Sequence, residues 1–283
     1  MHTTLVTPSI LAQHLQDPSW VVIDCRFDLA NPARGEELYR EGHIPGARYA
    51  HLDRHLSGEK TGTNGRHPLP TREEVTRSFS ELGIGSQAQV VAYDADSGMY
   101  AARLWWMLGW MGHNGVAVLD GGLAQWQRDG HAVRGGITPS TPVVFRGIPR
   151  ETLRLTVEDV AAGLDDPTRL LVDARANERY QGINEALDPV GGHIPGAVNH
   201  FFQQNLTPEK TFKSPEELRA EWEPVLKDHE PKNVVMYCGS GVTACHNLLA
   251  LEHAGLRGAR IFPGSWSEWS ADKSRPVATG NKP

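Results

Sequence analysis

Short, uninterrupted apolar runs punctuate this chain. Trp20 to Asp24, Val90 to Tyr93 and Val116 to Leu119 are three of them, and Leu170 to Asp173, Val234 to Tyr237 and Ala259 to Phe262 are three more. Runs of this length, bounded by turn residues and lacking alternation, predict strands buried on both faces, as in parallel sheets. Between them the pattern switches to helix start signals. Thr71-Arg72-Glu73-Glu74 and Ser214-Pro215-Glu216-Glu217 read as capping boxes, the second with proline at the first helical position. Thr156-Val157-Glu158-Asp159 puts a cap candidate ahead of the apolar positions Val160 and Leu164, and residues 242–252 read as a further helix. Strands alternating with helices predict an α/β fold, a parallel sheet flanked by helices on both faces.

The pattern occurs twice. Gly42-His43-Ile44-Pro45-Gly46-Ala47 recurs unchanged as Gly192-His193-Ile194-Pro195-Gly196-Ala197. Val22-Ile23-Asp24-Cys25-Arg26 matches Leu171-Val172-Asp173-Ala174-Arg175 upstream of it, and Val90-Val91-Ala92-Tyr93-Asp94 matches Val234-Val235-Met236-Tyr237-Cys238 downstream. Gly121-Gly122-Leu123-Ala124-Gln125-Trp126 then matches Gly264-Ser265-Trp266-Ser267-Glu268-Trp269. The matches keep their order and a domain-sized period, so two tandem copies of one fold are predicted rather than a solenoid. The join falls between about Gly130 and Thr152, a stretch rich in glycine and proline without helical periodicity. Domains are expected at 1–138 and 153–283, with 139–152 as a surface linker.

Composition narrows the class. Of 283 residues, 39% are hydrophobic and 22% charged, and the net charge is −6. A soluble globular protein fits, whereas the basic footprint of a nucleic-acid binder is missing. The most apolar stretch, Met99 to Leu119, contains Arg103, His113 and Asn114 and is a poor membrane span. The first residues lack the basic and apolar regions of a signal peptide. Three cysteines are too few for a disulfide scaffold, so a reducing, cytoplasmic setting is expected.

One of the three is placed for chemistry. Cys238 follows an apolar run directly, and Gly239-Ser240-Gly241-Val242-Thr243 then leads into a helix. Ligands of parallel α/β sheets bind outside the carboxyl ends of strands. Glycines let successive N–H groups converge, and a helix N-terminus adds partial positive charge, so an anion at the Cys238 sulfur is favoured. A buried, inert cysteine is the competing reading, and it suits Cys25, which no glycine loop follows, and Cys245, which falls inside the helix. The first-half counterpart of Cys238 is Asp94, so only one half carries the thiol, and the other is expected to supply walls to a cleft between the halves.

The Asp-x-Arg strand ends, the doubled Gly-His-Ile-Pro-Gly-Ala signature and the six-residue cysteine loop resemble the tandem-domain sulfurtransferases of the rhodanese superfamily, over nearly the whole chain. The resemblance implies two tandem rhodanese-like domains, the first non-catalytic. It also implies transfer of a sulfur atom from a small anionic donor, through a Cys238 persulfide, to cyanide, a thiol or reduced thioredoxin, with no metal or organic cofactor. Cys-Gly-Ser-Gly-Val-Thr resembles the 3-mercaptopyruvate branch, because the thiosulfate branch usually carries basic residues where Gly239 and Ser240 stand. By the same resemblance Ser240, His67 and Asp53 form a proton relay, the last two from the first domain. The loop residues Gly239, Gly241, Val242 and Thr243 hold the sulfur anion, Arg179 holds the donor's anionic end and Tyr100 lines the cleft. Arg175 is read as structural, because Arg26 repeats it in the inactive half. One position departs from the pattern. The second donor arginine of many mercaptopyruvate enzymes stands nine residues after the first, and that place is Asp188 here; Arg66, beside His67, is the cation available to compensate.

Three other functions compete. A thiosulfate preference is the first. A non-catalytic binding module is the second, countered by the intact cysteine loop. A cysteine phosphatase needs an arginine after five intervening residues, and that position is Ala244.

Overall fold

The computed structural model describes residues 1–282, and the chain folds as two compact units. The first comprises Met1–Gly58, Pro70–Arg150 and Pro208–Phe212; the second comprises Glu59–Leu69, Glu151–Thr207 and the chain from Lys213 onward. Each unit therefore takes a short segment from the other half of the sequence.

The first unit holds a five-stranded parallel sheet of β1 (Leu5–Val6), β2 (Trp20–Asp24), β3 (Arg48–Tyr49), β4 (Gln89–Tyr93) and β5 (Val116–Leu119), in the order β1-β5-β4-β2-β3. The second holds β6 (Leu170–Asp173), β7 (Val198–Asn199), β8 (Val234–Tyr237) and β9 (Arg260–Ile261), ordered β7-β6-β8-β9 and again parallel. A parallel bridge from Arg154 to Ile261 takes the place that β1 has in the first sheet. Two copies of one topology are thus present, each sheet flanked by helices. The long apolar runs are the central strands, and every residue of β4, β5, β6 and β8 is buried. Of the two-residue strands at the sheet margins, β9 falls within the run Ala259 to Phe262, whereas β1, β3 and β7 carry too little apolar sequence to register as runs.

The three cap signals close as capping boxes at Thr71, Thr156 and Ser214, each with the side chain and backbone bonds reciprocated. The apolar stretch from Met99 resolves into a buried helix, Ala101–Trp110, followed by β5. No helix among the described residues is long and apolar enough to cross a membrane.

The doubled signature is a structural clamp. Asp24 at the end of β2 receives the Arg26 backbone N–H and its Nε and Nη2 groups, and Arg26 Nη2 also donates to the Gly42 carbonyl at 2.7 Å. Asp173 and Arg175 repeat this with the Gly192 carbonyl at 2.6 Å. Tyr93 and Tyr237 accept the N–H of Ile44 and Ile194, at 3.2 and 3.3 Å. His43 and His193 stack on Tyr39 and Tyr180 and bond the backbone carbonyls of those tyrosines through Nδ1. Both histidines are spent on packing.

Residues 139–150, expected as part of a linker, belong to the first unit. Val143 N–H donates to the Ser80 carbonyl at 3.0 Å, and Phe145 N–H to Ser80 Oγ at 3.1 Å. The Phe145 ring is buried edge-on against Phe79, with centroids 5.1 Å apart. One aromatic anchor and a few backbone bonds hold the segment, a pattern without periodicity for sequence reading to detect. Phe145→Ala is expected to destabilise the protein by about 3–5 kcal/mol, measured by urea unfolding. A change within about 0.5 kcal/mol, the size of an ordinary surface substitution, would mean the segment is only a connector.

Candidate active site

Cys238 stands one residue beyond β8 and is buried, with 2% of its surface exposed. The loop behind it is fixed from the helix Ser265–Trp269. Cys238 N–H donates to Ser265 Oγ at 3.1 Å, Trp266 N–H to the Cys238 carbonyl at 2.9 Å, and Ser267 N–H to the Gly239 carbonyl at 2.9 Å. These bonds tie both carbonyls to that helix. The N–H groups of Gly239, Ser240 and Val242 find no acceptor among the described residues, and they lead into the N-terminus of the helix Thr243–His253. That arrangement suits an anion. Gly241 has φ +75°, and a Cβ there would lie 2.1 Å from the Pro263 carbonyl oxygen, so only glycine fits. Cys245 donates its thiol to the Gly241 carbonyl at 3.3 Å, a packing role. Cys25 is fully buried, and burial beside Asp24 and Asp94 pushes its thiol well above the ordinary range.

Ser240 and His67 meet. Ser240 Oγ and His67 Nδ1 are 2.8 Å apart, and both residues are buried. The sequence places His67 in the first half, but segment 59–69 is part of the second unit, so the pair lies within one body. Asp53 lies in the first unit at the start of the short helix Leu52–His55, its N–H bonded to His51 Nδ1 at 3.1 Å. Tyr100 is also in the first unit, edge-on to Phe27 and lining a surface cavity of about 440 Å³ with Phe27, Leu38 and Met99. The second unit by itself brings together Cys238, Ser240, His67 and Arg179.

Arg179 is held by two carboxylates of the second unit. Its Nε donates to both oxygens of Glu185 at 3.1 Å, and its Nη2 donates to Glu185 Oε1 at 2.9 Å and Asp188 Oδ2 at 3.0 Å. Asp188 Oδ1 receives Nη1 of Arg66 at 2.5 Å. Burial pushes the Asp188 carboxyl up, outweighing the pull of Arg66 and Arg179. Burial also works against an ionised Glu185, but the Arg179 bonds and the N–H groups of Leu187 and Asp188 hold that carboxyl below its usual range. A Cβ on Gly239 would lie 2.8 Å from Arg66 Nη2 and 3.5 Å from both Nη1 and Nη2 of Arg179. Two guanidinium groups therefore overhang the residue that follows Cys238.

Ser265 is a residue that motif reading misses. It has φ +56° and holds the Cys238 N–H, whereas the matching first-unit residue is Gly122, with φ +57°. A serine opposite a glycine at a repeat-matched, left-handed position is the available signal. The first-unit counterpart of the loop is closed on itself. The Asp94 carboxylate accepts the N–H groups of Gly98, Tyr100 and Ala101 at 2.9, 2.7 and 3.2 Å. Burial pushes this carboxyl up against those three bonds.

The fold and the loop define a tandem α/β protein with one glycine-flanked cysteine at a strand end. Residues 7–129 and 156–272 each match the rhodanese-like domain, and the chain belongs to that family. A curated relative from Pseudomonas aeruginosa, "Probable 3-mercaptopyruvate sulfurtransferase", is 45% identical over 279 residues and covers 98% of both chains. The thiosulfate sulfurtransferase of Rattus norvegicus is 34% identical over 278 residues, covering 95% of this chain and 92% of its own. The solved 3-mercaptopyruvate sulfurtransferase from Leishmania major superposes with a TM-score of 0.85 at 29% identity, over 97% of this chain and 76% of that one.

Gly241→Ala is expected to lower kcat/KM about a hundredfold by displacing the loop, together with a fall in melting temperature. Gly46→Ala is the control. Its φ is +83° but nothing lies within 4 Å of the added carbon, so it should cost about 1–2 kcal/mol of stability and leave the rate intact.

Proposed function

We propose that this sulfurtransferase uses Cys238 as its nucleophile and 3-mercaptopyruvate as its preferred donor. The Cys238 thiolate attacks the donor sulfur and forms an S–S bond as the C–S bond breaks. The electron pair of that bond leaves on the pyruvate enolate. The thiol proton of the donor must reach the enolate carbon, which leaves a Cys238 persulfide anion and pyruvate. An acceptor then attacks the outer sulfur and returns the Cys238 thiolate. Loop N–H groups of Gly239, Ser240 and Val242 would stabilise the sulfur anion in both halves of the cycle.

The observation that carries the donor choice is the 2.8 Å contact between Ser240 and His67. Mercaptopyruvate delivers sulfur as a thiol and needs a proton moved, whereas thiosulfate carries no proton on its transferable sulfur. A buried hydroxyl–imidazole pair within the nucleophile loop serves the first donor and is superfluous for the second. Arg179 binds the donor's carboxylate. Small thiols and reduced thioredoxin suit the acceptor step, and a reducing cytoplasm would supply them.

Steady-state rates with cyanide as common acceptor test the donor. Activity is expected with both donors and a higher kcat/KM with mercaptopyruvate; a clear thiosulfate preference would sink the donor assignment. Ser240→Ala and His67→Gln should each lower kcat about a hundredfold with mercaptopyruvate and much less with thiosulfate. Cys238→Ala should abolish both, and mass spectrometry should find the transferred sulfur on Cys238 of the unaltered protein.

A further inference from the structure

The helix that follows the Cys238 loop, Thr243–His253, is fastened at its first turn by a buried polar junction. At the centre is Asn205, fully buried at the end of the 3-10 helix Phe202–Asn205. Trp222 Nε1, on the helix Pro215–Leu226, donates to Asn205 Oδ1 at 3.0 Å. An indole N–H can only donate, so this bond fixes which end of the Asn205 amide is oxygen. His200 Nε2 lies 3.2 Å from the same oxygen and must also donate. Asn205 Nδ2 then faces Asn247 Oδ1 at 2.8 Å and His246 Nδ1 at 3.2 Å, and it donates to both. His246 Nδ1 is therefore an acceptor, which makes that ring neutral with its proton on Nε2. Burial pushes the His200 imidazole down to about 4, so this ring is neutral as well. The Asn205 amide thus spends both N–H groups and both lone pairs on four buried side chains, and withdrawing it would strand every one of them.

The junction reaches the cysteine loop through the residue before His246. Cys245 donates its thiol to the Gly241 carbonyl at 3.3 Å and its N–H to the Val242 carbonyl at 3.1 Å. The loop is therefore gripped from two sides. The helix Ser265–Trp269 and Ser267 hold the carbonyls of Cys238 and Gly239, and the first turn of Thr243–His253 holds those of Gly241 and Val242. The first unit closes the same joint differently. Counting on equally from the left-handed glycines Gly98 and Gly241, Arg103 stands where His246 does. Arg103 Nε and Nη2 donate to one backbone carbonyl, that of Leu56, at 3.4 and 3.3 Å. The side-chain junction belongs to the unit that carries the cysteine loop. We propose that Asn205 is a positioning residue of the sulfurtransferase reaction: it sets the first turn of Thr243–His253, and through it the aim of the Gly239, Ser240 and Val242 N–H groups at the Cys238 sulfur. The proposal rests on the reading of Cys238 as the nucleophile. Hydrogen bonds are directional where apolar packing is not, so bonds of this number on one amide leave the turn a single orientation.

The test compares Asn205→Leu and Asn247→Leu with the unaltered protein, using whichever donor has the higher kcat/KM. Asn205→Leu keeps the side chain's bulk and removes all its bonds. It should lower kcat about ten- to a hundredfold and leave the donor KM within about twofold. The pH midpoint for alkylation of Cys238 by iodoacetamide, followed by mass spectrometry, should rise by about half a pH unit or more. A residue that only stabilises the fold would lower the melting temperature and move neither readout, so an unchanged kcat or an unchanged midpoint overturns the proposal. If Asn205→Leu does not fold, Asn247→Leu decides, because it removes a tie from the helix side. A lower kcat at constant KM with a raised midpoint supports the assignment, and unaltered kinetics reject it. Long-range proton–nitrogen NMR spectra check the junction without any substitution in it. The unaltered protein should show His246 neutral and protonated on Nε2 at neutral pH; a proton on Nδ1 would overturn the proposal. Cys238→Ala keeps the two readings apart. Activity surviving that change removes the nucleophile and this proposal with it, whereas lost activity beside unaltered Asn205 and Asn247 variants refutes the positioning role alone.

Discussion

The second unit is organised around one buried ion pair, Asp173 with Arg175. Their side chains are 0% and 1% exposed. Two charges at that depth are tolerable only when nearly every polar atom is matched. Asp173 takes three N–H groups from Arg175. Arg175 then reaches outward in three directions. It holds the Gly192 carbonyl, which fixes the Gly-His-Ile-Pro-Gly-Ala turn. It meets Glu185, the carboxylate that orients Arg179. Its guanidinium lies 4.8 Å above the Trp266 ring, and the Trp266 N–H holds the Cys238 carbonyl. Sheet end, Arg179 and the Cys238 loop thus depend on the same pair. Removing either partner would strand a charge and cost about 3–5 kcal/mol.

The first unit separates what the fold requires from what chemistry requires. Asp24, Arg26, Tyr93 and Gly42 reproduce the clamp, so the signature motif is present where Asp94 stands in place of Cys238. The signature therefore marks the scaffold. The functional difference is confined to the loop and its anchor. Asp94 occupies the place of Cys238 and fills the converging N–H groups with its own carboxylate. Gly122 occupies the place of Ser265, where a Cβ would lie 2.7 Å from the Asp94 carbonyl. The first-unit loop closes on its own carboxylate, whereas the Gly239, Ser240 and Val242 N–H groups find no acceptor among the described residues.

The central strands, the three capping boxes, the tandem symmetry and the Cys238 loop are legible in the sequence because each has a local signature: an apolar run, a cap at fixed spacing, two glycines before a helix. The exchange of segments 59–69 and 208–212 is not, because membership in a unit is decided by contacts distant in sequence. That is why His67 reads as a first-domain residue and folds with the second unit. Segment 139–150 is hidden by its prolines and glycines, although Phe145 anchors it. Ser265 is hard to read because its task depends on a left-handed backbone, which a serine does not announce; only the glycine at the matching place in the repeat, Gly122, marks it.

Asp188 shows most directly how sequence and structure divide the work. Read along the chain, an acid where a donor-binding cation is expected weakens the case for mercaptopyruvate as donor. Read in space, it is 3% exposed, and each of its oxygens already serves an arginine. Its charge is turned inward, toward Arg66 and Arg179, and the free edges of those two groups face Gly239. Position along the chain and position in the site are different coordinates. Arg66, more than a hundred positions earlier, lies on a segment that folds into the same unit and shares Asp188 with Arg179. Asp188 is therefore a spacer between two arginines, and its place in the sequence alone does not decide the donor.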